Sequence, residues 1–233
     1  MNIQEILLTP GASHGRPGYA LTPKGAVVHY VGGPGGTALA VRNWFEGGAG
    51  GAHTSCHYVV GLSGEILRIL PESEQAMHAG KAYDAKYAEQ AAQNNRTLLG
   101  IECCHPTADG KFNEATTAAL AWLLRDILAR HGLTAEDVYR HYDVTGKACP
   151  LYYVKNPAAW DELKLGLAGS AVNIQYNGKT TAVRADNRSG SNWVSLAELG
   201  RAMPDMPVPV RAALESAGRT VSYDGLTNTV IVA

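Results

Sequence analysis

Apolar residues along the chain fall into short runs separated by Gly- and Pro-rich breaks. Val27-Val28-His29-Tyr30-Val31 ends at Gly32-Gly33-Pro34-Gly35-Gly36, which predicts a buried strand entering a loop. Thr37 to Glu46 carries Leu39, Val41, Trp44 and Phe45 and predicts a short helix. The runs from His57 to Leu62 and from Glu65 to Leu70 flank Ser63-Gly64, the pattern of a β-hairpin. Leu98 to Cys104 predicts a further strand with Glu102 inside it. The clearest helix runs from Glu114 to His131, where Leu120, Leu123, Leu124, Ile127 and Leu128 recur at i, i+3, i+4, i+7 and i+8. Asn113 can cap its start and Gly132 can close its end. Thr134 with Asp137 has the spacing of a capping pair for a short helix. Asn156-Pro157 opens a last helix, because a proline in the first turn gives up no hydrogen bond. Strands alternating with helices predict an α/β layer structure up to about Lys164.

Beyond that point the pattern changes. Small residues from Gly166 to Ser170 predict a linker, dividing the chain into residues 1–165, a linker at 166–170 and a small α+β domain at 171–233. In the small domain, Val172 to Tyr176 and Thr180 to Ala185 flank Asn177-Gly178, a strong hairpin turn. Two short helical stretches follow, around Leu196 to Ala202 and Val210 to Ala217. Thr220 to Tyr223 and Thr229 to Val232 flank Asp224-Gly225 as a second hairpin. This region has no His or Cys and so lacks obvious catalytic equipment.

Composition narrows the function. The chain has 233 residues, 45% hydrophobic and 18% charged, an ordinary globular balance. Lys+Arg is 20 against Asp+Glu 21, so no electrostatic footprint for nucleic acid is present. No stretch approaches the ~18 apolar residues of a membrane span, so no membrane insertion is expected. Met1-Asn2-Ile3-Gln4-Glu5 lacks the basic start and apolar run of a signal peptide. Four cysteines, Cys56, Cys103, Cys104 and Cys149, are too few for a disulfide framework in a chain of this length. Cys103 and Cys104 should face opposite sides of their strand.

The candidate chemistry lies in the histidines and one cysteine. A single His in a strand is most often a satisfied core residue. The pattern sharpens at His141-Tyr142-Asp143-Val144-Thr145-Gly146-Lys147-Ala148-Cys149-Pro150. Neutral imidazole and thiolate are both zinc ligands, and the spacing lets a loop return to one point. Lys147, two residues before Cys149, favours the thiolate. Asp143 either contacts a ligand or caps a turn. Gly32 to Gly36 lacks the Gly-Lys-Ser/Thr ending of a phosphate loop and more plausibly rims a groove. Tyr30 should face away from His29 into the core, and His57 should pack behind the hairpin.

The segment from His141 to Pro150 resembles that of zinc-dependent N-acetylmuramoyl-L-alanine amidases, the amidase-2 family that shares its fold with phage endolysins and peptidoglycan recognition proteins. The resemblance covers about residues 22 to 163. It includes the His29 strand, Ser55-Cys56-His57-Tyr58, His78-Ala79-Gly80 and Gly100-Ile101-Glu102. It implies a central mixed β-sheet flanked by helices and one Zn²⁺ per chain on His29, His141 and Cys149. Three protein ligands leave a position for water, as a catalytic zinc site needs. It further implies Glu102 as the group that moves the proton, Lys147 as stabiliser of the oxyanion, and His78 as a substrate contact lining the groove. One departure stands out: where another branch of the family has a catalytic tyrosine before the position of His57, this chain has Cys56.

The stretches Asn192-Trp193-Val194-Ser195-Leu196 and Ala213 to Asp224 resemble the small domain called copper amine oxidase N-terminal-like, found in bacterial envelope proteins. With no His or Cys there, no copper site is implied. The resemblance implies a wall-binding module, and a dimerisation module giving a homodimer is the other reading. Together these point to an endolysin acting on bacterial peptidoglycan, held in the host cytoplasm until released. The alternatives are a non-catalytic peptidoglycan-binding protein of the same fold and a cytoplasmic muropeptide-recycling amidase.

Overall fold

A computed structural model of the chain describes residues 1–167 throughout and, beyond them, the backbone of five strands. The chain divides into two compact units, Met1–Leu167 and Ala168–Ala233.

The first unit is built on six strands: β1 (Ile3–Glu5), β2 (Gly25–Tyr30), β3 (Tyr58–Val60), β4 (Ile66–Arg68), β5 (Leu98–Cys103) and β6 (Val138–Arg140). Their order is β1-β4-β3-β5-β2-β6. Only the β3–β4 hairpin is antiparallel; the other neighbours run parallel, so the sheet is mixed. Six helices flank it: α1 (Ala38–Glu46), α2 (Ala88–Thr97), α3 (Glu114–His131), α4 (His141–Thr145), α5 (Leu151–Lys155) and α6 (Pro157–Leu167).

The period-2 alternation of strand side chains divides the sheet into two faces. On one, Val28, Tyr58, Val60, Leu99, Ile101 and Cys103 pack against the apolar stripe of α3 and against Trp160 and Leu163 of α6. Asn113 caps α3, accepting from the Thr116 N–H at 2.8 Å, and Gly132 closes it in the left-handed region. On the other face, Val59 and Leu67 pack with Ala38, Val41 and Phe45 of α1. Cys103 and Cys104 fall in these two separate clusters, on opposite sides.

Five elements have no counterpart in the sequence pattern, among them the five-residue helices α4 and α5. The strands β1 and β6 are only three residues long. The helix α2 buries only Ala91 and Asn94, so it carries no stripe for periodicity to reveal. At the expected linker, α6 continues to Leu167 and the next strand starts at Ser170.

The second unit contains β7 (Ser170–Tyr176), β8 (Lys179–Arg188), β9 (Ser191–Trp193), β10 (Val221–Asp224) and β11 (Thr229–Val232), in the order β10-β11-β7-β8-β9. Antiparallel β7 and β8 pair Tyr176 with Lys179, and β10 pairs antiparallel with β11; the turn expected at Asn177-Gly178 lies outside the described residues. Parallel pairing of β11 with β7 joins the two hairpins. The helical stretches expected at 196–202 and 210–217 lie outside the described residues.

Candidate metal centre

The site forms where three parallel strands end together. His29 is the penultimate residue of β2, Glu102 is the penultimate residue of β5, and His141 directly follows β6. Ligand sites favour the carboxyl ends of parallel strands, where connecting loops and helix starts converge. Register places His29 opposite Glu102, so both project from the face of the sheet away from α3.

The loop from His141 to Cys149 closes on itself. Asp143 accepts from the Arg140 N–H at 2.8 Å and pairs with the Arg140 guanidinium at 2.7 Å, fixing the start of α4. This assigns Asp143 to capping. Gly146 ends α4 at φ 82°, where a Cβ would sit 3.0 Å from the Asp84 Cβ. The chain then turns back, and the Tyr142 N–H donates to the Cys149 carbonyl at 2.9 Å. A nine-residue segment thereby presents an imidazole and a thiol to the same point.

His29, His141 and Cys149 are all buried, and one ligand atom from each lies within 4.8 Å of the others. His29 Nδ1 is 3.9 Å from Cys149 Sγ, and the two imidazole centroids are 4.5 Å apart. Bonds of ~2.0–2.3 Å to a tetrahedral ion put nitrogen and sulfur about 3.6 Å apart, close to the His29–Cys149 separation. His141 Nδ1 is sealed from solvent and has no hydrogen-bond partner among the described residues. A buried nitrogen left bare costs free energy unless something binds it. Two imidazoles, one of them with this bare nitrogen, and a thiol fit a zinc ion.

Electrostatics agree for the imidazoles. Burial, then the neighbouring His141, His78 and Lys147, holds His29 well below its ordinary pKa. Burial and Lys147 bring His141 down to about 3. Both rings are neutral at pH 7, with lone pairs available. For Cys149 the expected pull of Lys147 is present but opposed. Lys147 does pull the thiol down, but burial and the Glu102 carboxylate outweigh it, and the pKa is pushed up to about 12. A cation bound at the site would favour the thiolate.

Glu102 is half-buried, with Oε2 enclosed and unpartnered among the described residues. Burial raises its carboxyl to about 8, against the lowering effect of Lys147. Lys147 is exposed, and its Nζ lies 5.9 Å from the Tyr83 ring centroid. Tyr83 has no periodicity or motif to mark it in the sequence. It nevertheless meets His141 edge-on, with centroids 6.3 Å apart, and the residue is 54% exposed beside Lys81 and Lys147.

His78 sits close to the trio but not as a residue free to face a groove. Both ring nitrogens are engaged, one with His29 Nε2 at 3.0 Å and the other with the Leu98 carbonyl at 3.0 Å. His57 is fully buried between the Gly100 N–H and the Glu74 carbonyl, a packing role as expected. Tyr30 packs on the α3 side, its ring tilted against His105. The Cys56 thiol is buried and donates to the Tyr58 carbonyl at 3.2 Å.

Residues 19–151 match the family described as N-acetylmuramoyl-L-alanine amidase, and the chain belongs to that family. It is 35% identical over 177 residues to the probable N-acetylmuramoyl-L-alanine amidase of Bacillus licheniformis, covering 75% of this chain and 48% of that protein. The solved catalytic domain of XlyA is 32% identical and superposes with a TM-score of 0.58, covering 72% of this chain and 99% of that domain. A solved mutant endolysin from Bacillus subtilis matches with the same identity, TM-score and coverage. The chain spans about half the length of the full-length relatives it matches.

Proposed function

We propose that the chain is a zinc-dependent amidase that hydrolyses the bond between N-acetylmuramic acid and the L-alanine of the peptidoglycan stem peptide, working as an endolysin. The observation that carries this is the convergence of His29, His141 and Cys149 beside Glu102, within the residues that match the amidase family.

His29, His141 and Cys149 would hold the ion. When bound, it supplies Lewis acidity toward the amide carbonyl and lowers the pKa of a bound water to about 7. The chain's own residues supply the rest. Glu102, on the strand next to His29, accepts the proton of the attacking water and returns it to the leaving amine nitrogen. Its enclosed carboxyl, with a pKa raised by burial, suits a group that must both take and give a proton near neutral pH. Lys147 places a cation beside the developing oxyanion. With a buried thiol at Cys56 in place of a tyrosine, the proton transfers fall to Glu102.

In this reading the second unit is a separate wall-binding module that raises the concentration of catalyst at the polymer. The enzyme is held inside the producing cell and acts once it reaches the wall. The test uses purified cell walls and measures new N-terminal alanine with and without a zinc chelator. Release that the chelator abolishes and added zinc restores supports the proposal. Release from soluble muropeptides alone overturns the endolysin role, and none from either substrate in zinc-loaded protein overturns the amidase.

A further inference from the structure

We infer that His78 is a positioning residue, holding His29 in the tautomer that presents a bare Nδ1 to a metal. The inference rests on the zinc reading of the trio but is carried by a separate set of contacts. The Leu98 carbonyl can only accept, so the His78 nitrogen facing it, Nε2 at 3.0 Å, carries a proton. In a neutral ring that leaves His78 Nδ1 as a lone-pair acceptor. The atom facing it at 3.0 Å is His29 Nε2, which must then be the donor. With its single proton on Nε2, His29 has an unprotonated Nδ1, the atom that lies 3.9 Å from Cys149 Sγ. The chain from Leu98 through His78 to His29 is thus polarised in one direction, and a backbone carbonyl sets that direction.

The surroundings hold His78 in this place. Asn95 Oδ1 accepts from the backbone N–H groups of both His78 and Ala79, at 3.1 and 2.8 Å. Asn94 Nδ2 donates to the carbonyls of Ala79 and Val144, tying the His78 turn to α4 and hence to the His141 loop. The ring lies against the backbone of Gly100, where a Cβ would come within 2.7 Å of it. A side chain on that β5 residue would push the imidazole off both hydrogen bonds. Partners of this kind, bonded to the far nitrogen of a ligating imidazole, typically change metal affinity by 10–100-fold when removed.

The test combines nitrogen-15 NMR of the metal-free protein with zinc affinity by chelator competition. In the wild type, His29 is expected as the Nε2–H tautomer. His78→Leu removes the acceptor and is expected to lose that preference and bind zinc 10–100-fold more weakly. His78→Asn places an oxygen near the old Nδ1 position and is expected to recover most of the affinity. Gly100→Ala, which alters no ligand, is expected to weaken binding in the same direction. A proton on His29 Nδ1 in the metal-free wild type overturns the inference. So does equal zinc affinity in His78→Leu and His78→Asn, whether weak or strong. A wild type that binds no zinc overturns the proposed cofactor, while the tautomer measurement still decides the role of His78.

Discussion

The two faces of the central sheet spend the same strands differently. Toward α3, β2 and β5 present Val28, Leu99, Ile101 and Cys103, all buried and all packed on apolar neighbours. Toward the other side they present His29, Gly100 and Glu102. One-residue steps along two strands therefore separate a dry core from a reactive cluster. Among the described residues, the two buried side-chain atoms without hydrogen-bond partners, Glu102 Oε2 and His141 Nδ1, both belong to the cluster. Unpaired buried polar atoms oppose folding, so the packed face must supply the stability that lets the other remain under-satisfied. The sheet teaches a division of labour: one side holds the fold, and the other gathers the polar and ligand-type side chains.

The largest test of that division is Cys149→Ser. Loss of the sulfur ligand should abolish stoichiometric zinc binding and amide hydrolysis while the protein stays folded, read by metal content, alanine release and circular dichroism. Unfolding on this change would break the comparison. Glu102→Ala should come next, retaining zinc but losing activity by a factor of ~10² or more. Full activity with zinc retained would remove Glu102 from its role. On the packed face, Leu124→Ala should cost about 2–5 kcal/mol in a denaturant melt, with the zinc stoichiometry of the folded fraction unchanged.

The smallest effect is a pH dependence at the end of α3. Burial raises the Glu72 carboxyl, but hydrogen bonds from Arg130, His131 and Tyr58 more than offset this and hold it at about 2, against an ordinary 4.5. A carboxyl depressed by folding contributes stability above its unfolded pKa and loses it as pH falls through the folded one. Stability should thus fall between about pH 4.5 and 2, and Glu72→Gln should flatten that part of the profile in acid melts.

Where a residue's role follows from neighbours in sequence, it could be read from sequence. The stripe of α3, the Asn113 cap and the return of the His141 loop to Cys149 are all local, and the structure matches them closely. The placement of His29 and Glu102 followed from resemblance alone. The role of His78 was not legible, because it depends on a carbonyl 20 residues away and on Gly100, which no pattern links to it. Tyr83 escaped for a related reason. Its backbone N–H donates to the Thr145 carbonyl at 2.7 Å, a contact that only the folded chain creates. At the Cys149 thiol only half of the balance was legible: the lysine that lowers its pKa is visible in sequence, whereas the depth of burial that raises it is not.

Because the Tyr142 N–H to Cys149 carbonyl bond and the Arg140–Asp143 pair are both internal to one short segment, that segment carries its own folding instructions. Residues 140–149 can be regarded as a cartridge plugged into the end of β6. Exchanging it for one with a different donor at its last position would retune metal preference while β2 and β5 stay as they are.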